Sequence, residues 1–338
     1  MTIEGQLVRG LGRAAEFTQL DWVRRQFIEL AGIDPHPGTV NLSVNDRHRE
    51  QWKSWCALPG AAMESEDAAF CSARCYPVRV EGRIPGAIVL PQVADYPEHK
   101  VEVVAALPVR QHLSLDEGAR VRLELCRPLA AKAVLFDLDG TLVDSVGAYL
   151  EVARIAAKVY ELEVTEDQVR RALATGANFW KGIVTDETVR KALFVHAARE
   201  WPRVLREHGK VFPGLAATLD ALKARGIALG IVSGARPEVL ELLHEVLDRF
   251  DAVVLGPDVS QRKPHPEGLL KCLQKLGVAP DAALYVGDTP LDIQASRAAG
   301  MRAVGVLTGA GDSALLSAHE PDRLVASHAK LAGILQPA

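Results

Sequence analysis

The chain has 338 residues, 48% hydrophobic and 24% charged, with a formal net charge of -4. At about 100–200 residues per domain, this length leaves room for two domains, each with its own core. The composition excludes a disordered chain, and the mildly acidic balance disfavours nucleic acid or any other polyanion as a partner.

The opening Met1-Thr2-Ile3-Glu4-Gly5-Gln6-Leu7 lacks a basic head followed by an apolar core, and no uncharged apolar run reaches membrane-spanning length. A cytoplasmic protein with no membrane partner is expected. Residues 1–127 carry β-branched runs split by Gly and Pro: Val78-Arg79-Val80, Ala87-Ile88-Val89-Leu90, Val101-Glu102-Val103-Val104 and Val121-Arg122-Leu123-Glu124-Leu125. These predict a mostly β domain, a small barrel. Trp52 and Trp55 read as barrel packing. Five cysteines, an odd number, argue for reduced thiols. Cys56, Cys71 and Cys75 have no His/Cys pair nearby at zinc-site spacing and read as buried thiols.

A short seam, Arg127-Pro128-Leu129-Ala130-Ala131, leads into a second domain expected over 131–338. There, short apolar runs alternate with longer amphipathic stretches, the pattern of parallel strands joined by helical crossovers. The predicted strands are Ala133–Phe136, Ile227–Val232, Ala252–Leu255, Ala282–Val286 and Ala303–Val306, all buried on both faces. Helices are predicted over about 146–160, 214–225, 236–249, 265–277 and 290–299. Between about 149 and 209 no such strand occurs, and Glu, Arg, Ala and Leu recur at helical spacing, so a helical insert is expected after the first strand. The fold class is α/β: a Rossmann-like parallel sheet with a helical cap, behind a small barrel.

Open parallel sheets bind ligands beyond the carboxyl ends of their strands. The first run ends in Asp137-Leu138-Asp139-Gly140-Thr141-Leu142, the second in Ser233-Gly234, and the run at Tyr285-Val286 in Gly287-Asp288-Thr289-Pro290-Leu291-Asp292; Lys263 comes after the third. Asp137 and Asp139, two apart on extended chain, point the same way, and such carboxylates repel unless a hard cation holds them. Mg2+, which takes one or two carboxylates plus substrate phosphate, fits Asp137, Asp139 and Asp288, with Asp292 orienting the metal shell. In this reading Asp137 is the nucleophile that takes up the phosphoryl group, and Asp139 the acid and base. Ser233, Gly234, Lys263 and Thr141 supply donors and positive charge to the phosphate. Trp180 and Lys181 read either as facing the substrate or as cap packing, with packing favoured, and His265 as a helix-start residue.

In this order the motifs resemble the haloacid dehalogenase superfamily over about residues 132–315, through Asp137-Leu138-Asp139-Gly140-Thr141-Leu142-Val143-Asp144-Ser145, Ser233, Lys263, and Gly287-Asp288 with Asp292. The resemblance implies a phosphatase or, as a minor alternative, a phosphomutase, since an acid two residues after the nucleophile marks those branches. It also implies that the insert at about 149–209 is the small cap that selects the substrate.

Upstream, Gly10-Leu11-Gly12 is a short glycine loop, and Thr39 and Asn41 share one face of the extended Pro37-Gly38-Thr39-Val40-Asn41-Leu42. With Phe17, Arg25-Gln26-Phe27, Cys75-Tyr76-Pro77-Val78, Tyr96-Pro97, Val101-Glu102-Val103-Val104-Ala105 and Val109-Arg110-Gln111-His112-Leu113, these resemble the archaeal CTP-dependent riboflavin kinases along nearly all of residues 5–126. The resemblance implies a barrel that binds CTP at Gly10 and Gly12 and Mg2+ near Thr39 and Asn41. Arg13 and Ala14 depart from the family, which has an acidic residue and a glycine there, so either a working kinase or a retained flavin- or nucleotide-binding module is implied. The function expected is a Mg-dependent phosphate monoesterase fused to a riboflavin kinase and serving flavin metabolism, with a ribitylamino-pyrimidine phosphate or FMN-like substrate. The alternatives are a phosphatase for another nucleotide-like or natural-product phosphate, and a flavin-sensing binding protein.

Overall fold

In the computed structural model, which describes residues 1–10, 14–67 and 69–336, the chain divides into two units: Met1–Arg127 with Ser313–Ala326, and Pro128–Asp312 with Ser327–Ala338.

The first unit holds β1 (Thr2–Val8), β2 (Val40–Val44), β3 (Ala61–Met63), β4 (Ala73–Val80), β5 (Ile84–Pro91), β6 (Lys100–Ala105) and β7 (Arg120–Leu125). Antiparallel pairing runs β4-β5-β6-β2-β1-β7 and returns to β4, closing a six-stranded barrel. One edge of β4 serves two partners, β3 at Ala73–Cys75 and β7 at Val78–Val80. The interior is filled by alternate residues such as Ile3, Leu7, Val78, Ile88, Val101 and Val103. Two eleven-residue helices absent from the sequence reading pack on the barrel. Asp46–Cys56 starts where the Asn45 side chain accepts from the His48 N–H, and it drives Trp52 and Trp55 into the barrel core, their rings 6.5 Å apart and edge-on. Asp21–Ala31 packs Val23 and Phe27 against Cys75 and Ala87.

The second unit is built on β8 (Ala133–Phe136), with β9 (Val143–Asp144) and β10 (Lys210–Val211) beside it, and then β11 (Ala228–Val232), β12 (Ala252–Val254), β13 (Ala283–Gly287) and β14 (Arg302–Val306). β12-β11-β8-β13-β14 form a parallel sheet, with the first predicted strand at its centre. The crossover helices Leu215–Lys223, Glu267–Leu276 and Pro290–Ala298 stand where the spacing places them. Over 236–249 the chain instead winds as two 3-10 turns, Pro237–Leu243 and Leu247–Arg249. Between them the Val246 N–H donates to the Leu243 carbonyl at 2.8 Å, a bond reaching three residues back.

The helical insert comprises Val146–Lys158, Glu166–Thr175, the 3-10 turn Phe179–Gly182 and Glu187–His208. Its starts are specified locally. Thr165 and Gln168 form a capping box, and the Asp186 carboxylate accepts from the Thr188 and Val189 N–H groups. Ala153, Ala156, Val169, Trp180 and Leu193 form its core, so Trp180 packs the cap while Lys181 is exposed. The two ends of the insert are tied by the β9–β10 ladder, Asp144 opposite Lys210 and Val143 opposite Val211. No helix among the described residues is long and apolar enough to cross a membrane.

Candidate active site

β8, β11 and β13 end side by side, and each delivers one of the residues expected at a strand end: Asp137, Ser233 and Asp288, all buried. The Lys263 ammonium lies 2.9 Å from Asp137 Oδ1, a charge contact without an aligned hydrogen bond. It also donates to Asp292 Oδ1 at 2.6 Å and to the Tyr285 hydroxyl at 3.2 Å. The other Asp292 oxygen accepts from the Thr289 N–H at 3.0 Å and the Thr289 hydroxyl at 2.6 Å. Asp292 thus has both oxygens engaged and fixes Lys263 and the start of the helix behind Asp288. Ser233 Oγ accepts from the Ala235 N–H, and Gly234 faces open space. His265 accepts from the Glu267 N–H, a local helix-start role.

Oxygens of Asp137, Asp288 and Asp292 lie within 4.8 Å of one another. Of the three residues expected to ligate a metal, the structure brings Asp137 and Asp288 together, while the Asp139 side chain lies outside this cluster. Thr141, expected on the phosphate, gives its hydroxyl to Asp288 Oδ1 at 3.2 Å. Asp288 Oδ2 accepts from the Ala310 N–H at 2.7 Å, and a Cβ on either Gly140 or Gly309 would collide with this carboxylate. The loop after β14, Thr308-Gly309-Ala310, is therefore part of the site; sequence reasoning passed over it, although its glycine lies beyond a strand end like the others.

Burial dominates the electrostatics. It pushes Asp137 up to about 7, against the pull of Lys263, and holds Asp288 well above the usual carboxylate range. Burial also works to lower Lys263, but Asp137 and Asp292 more than offset it and the ammonium is held well above its ordinary value. With all three ionised, three carboxylates against one ammonium would leave two negative charges uncompensated in a buried site, which is why burial pushes Asp137 and Asp288 upward. That is the deficit a hard divalent cation fills, and the oxygen-only donor set suits one.

Asp139 is also pushed up by burial, which favours its protonated form. One of its oxygens has no partner; the other is 3.5 Å from the Tyr149 hydroxyl, on the first turn of the insert. Tyr149 was not singled out from the sequence. A second tie between insert and sheet is the hydrogen bond from Arg170 to the Gly309 carbonyl, at 2.7 Å.

In the barrel unit, Gly10, Thr39 and Asn41 come together at a cavity of about 480 Å3; Gly12 and Arg13 lie outside the described residues. Asn41 Nδ2 donates to Thr39 Oγ1 at 3.1 Å, and a Cβ on Gly10 would strike this amide, so a side chain there must displace it. Ala14 lines the same cavity. So do Lys100 and Glu102, paired at 3.0 Å, with the Tyr96 hydroxyl donating to Glu102 at 3.1 Å. Burial, with the adjacent Glu102, pushes the Tyr96 phenol up. Glu102 pairs across from Asn41 in the β2–β6 register; its signal was a carboxylate alternating with valines in mid-strand.

Residues 7–125 match the family model of the CTP-dependent riboflavin kinase domain, described as domain of unknown function DUF120. Among curated proteins, the phosphoglycolate phosphatase of Salmonella typhi is 36% identical over 220 residues, 56% of this chain and 87% of that protein. Among solved structures, a haloacid dehalogenase-like hydrolase from Bacteroides fragilis superposes with a TM-score of 0.54 and 28% identity over 58% of this chain and 97% of its own. A protein described as a phosphoglycolate phosphatase from Haemophilus somnus gives 0.53 and 25% over 61% and 98%. The model that matches residues 134–306, half of the chain, is that of the haloacid dehalogenase-like hydrolases, and the chain belongs to that family.

Proposed function

We propose that the second unit hydrolyses phosphate monoesters through an aspartyl-phosphate on Asp137, with Mg2+ as its cofactor. An Asp137 carboxylate oxygen attacks phosphorus and the ester P–O bond breaks. Protonated Asp139 gives its proton to the departing alkoxide. Asp139, now ionised, takes a proton from water, whose oxygen attacks the phosphorus of the aspartyl ester; inorganic phosphate leaves and Asp137 is restored. Lys263, Ser233 and the backbone at Gly234 bind the phosphate oxygens, while Thr141 and Asp292 hold Asp288 and Lys263 in place. Mg2+ held by Asp137 and Asp288 would supply the positive charge that lets an anionic nucleophile approach a phosphate dianion.

The observation that carries this reading is Asp137 in ion contact with Lys263, two residues before a buried carboxyl group that burial pushes above the ordinary carboxylate range. The relatives named as phosphatases support it. For the barrel we propose CTP and riboflavin as ligands at the Gly10–Thr39–Asn41 cavity, and for the whole chain a place in flavin metabolism with a ribitylamino-pyrimidine phosphate or FMN-like ester as substrate. The family match over residues 7–125 supports this. A second reading, a barrel that binds its ligand without phosphorylating it, is favoured by the Ala14 methyl on the cavity wall.

The test is a phosphate-release screen over ribityl, sugar and nucleotide phosphates with Mg2+ and with chelator, run beside a CTP-dependent riboflavin phosphorylation assay. Undiminished release in chelator would overturn the Mg2+ requirement, and release from none of the esters would overturn the hydrolase reading. Release without FMN formation would leave the barrel as a binding module.

A further inference from the structure

Within the second unit, a cavity of about 460 Å3 lies between the helical insert and the exits of β11 and β12. It adjoins the reacting groups at three points. Tyr149, whose hydroxyl reaches Asp139, lines it, as do Gly234, next to Ser233, and Arg262, next to Lys263. Every residue that the insert contributes to the wall is uncharged. Tyr149, Phe179, Trp180, Phe194 and Trp201 bring aromatic rings to that wall among smaller apolar residues. Tyr149 and Trp201 lie 4.3 Å apart with 33° between their planes, and Phe179 meets Trp180 edge-on at 4.7 Å. Charge enters only from the sheet side, through Arg236, Glu238 and Arg262.

Such a chamber suits some leaving groups and not others. A carboxylate pressed against the aromatic and aliphatic side chains of the insert loses its water without gaining a partner there, so it would have to sit at the sheet side with Arg236 and Arg262, leaving the insert's wall bare. A two-carbon acid would also leave most of the space unfilled, since cavities of about 300–1,000 Å3 enclose drug-sized ligands. A flat aromatic body would bury its faces and edges against the rings of the insert at favourable geometry.

We infer that the substrate is a phosphate monoester whose leaving alcohol carries an aromatic or heteroaromatic body, seated against Tyr149, Trp201 and Phe179, with Arg236 and Arg262 meeting its polar substituents. This rests on the reading of Asp137 as the nucleophile of a phosphatase.

The experiment compares naphthylmethyl phosphate with 2-phosphoglycolate and glycerol 2-phosphate, all alkyl esters, on the full chain with Mg2+. The naphthylmethyl ester should be preferred by more than about tenfold in kcat/KM. Ala198→Phe, which fills the chamber, should collapse that ratio through KM. Binding is read separately, as quenching of tryptophan emission by naphthylmethyl phosphate in the Asp137→Asn protein. Equal or better hydrolysis of 2-phosphoglycolate, or no quenching, overturns the aromatic substrate and leaves the phosphatase standing. Quenching that Ala198→Phe removes, in a protein that hydrolyses none of the esters, supports the chamber and overturns the phosphatase instead.

Discussion

At the ends of β8 and β13, three buried carboxylates face a single ammonium, whereas in the barrel cavity Lys100 and Glu102 pair one to one. When ionised, the first arrangement carries a charge deficit that a bound cation or protons can remove; the second is balanced as it stands. An unbalanced buried cluster is held at a cost by the rest of the fold, and its members are forced toward their neutral forms. A balanced pair needs no ligand to be stable, so its cavity says less about what enters it.

Five experiments sharpen or break this contrast. Asp137→Asn should lower phosphate release by about 10³-fold or more, because it removes the nucleophile, while any CTP-dependent phosphorylation of riboflavin continues. Loss of both would show that the two cavities do not act separately. Asp139→Asn should cost about 10²–10⁴-fold. Burial raises Asp139 and the acid must be protonated to act, so in the unaltered protein kcat/KM falls as pH rises through a value above the ordinary 3.8. The variant should lack that limb of the profile.

A smaller effect concerns stability. Asp137 binds its proton more tightly in the folded state than in the unfolded one, so its contribution to metal-free stability falls as pH rises from 3.8 to about 7. Mg2+ should offset this: at about 100 times its dissociation constant it adds about 2.7 kcal/mol. The melting temperature gained from Mg2+ should therefore be larger at pH 7 than at pH 5. Hydrogen exchange should slow at 133–137 and 283–288 but not at 100–105, and equal slowing in both regions would break the contrast. The least effect is expected for Gly10→Ala. Its methyl group must displace the Asn41 amide, costing about 1–3 kcal/mol of barrel stability without changing phosphate release.

The parallel sheet was legible because strands buried on both faces are written as unbroken apolar runs, and the polar residues just past each run form the binding edge. Asp137, Ser233 and Asp288 could be placed by that rule alone. Lys263 reached the site only through the loop after β12, so its ion contacts with Asp137 and Asp292 needed coordinates. Tyr149 was hidden because a tyrosine on an amphipathic helix has the same pattern whether it packs a cap or faces a carboxyl group. Thr141 was legible as a residue near the reaction but not in its partner, since a hydroxyl's direction depends on a strand end 147 residues away. The turns at 236–249 and the barrel's two helices were missed for a related reason: local spacing does not fix how tightly a segment winds against a neighbour.

Two residue pairs, Asp144 with Lys210 and Val143 with Val211, hold both ends of the insert at one place on the sheet. Seen from β8, the chain leaves and returns through the same doorway, so the sheet does not register how much polypeptide lies beyond it. Loop-closure entropy grows by only about 0.6 kcal/mol for each doubling of length. By that measure a cap of another size could be joined at Val143–Asp144 and Lys210–Val211 at little entropic cost, provided it replaced the ties from Tyr149 to Asp139 and from Arg170 to Gly309.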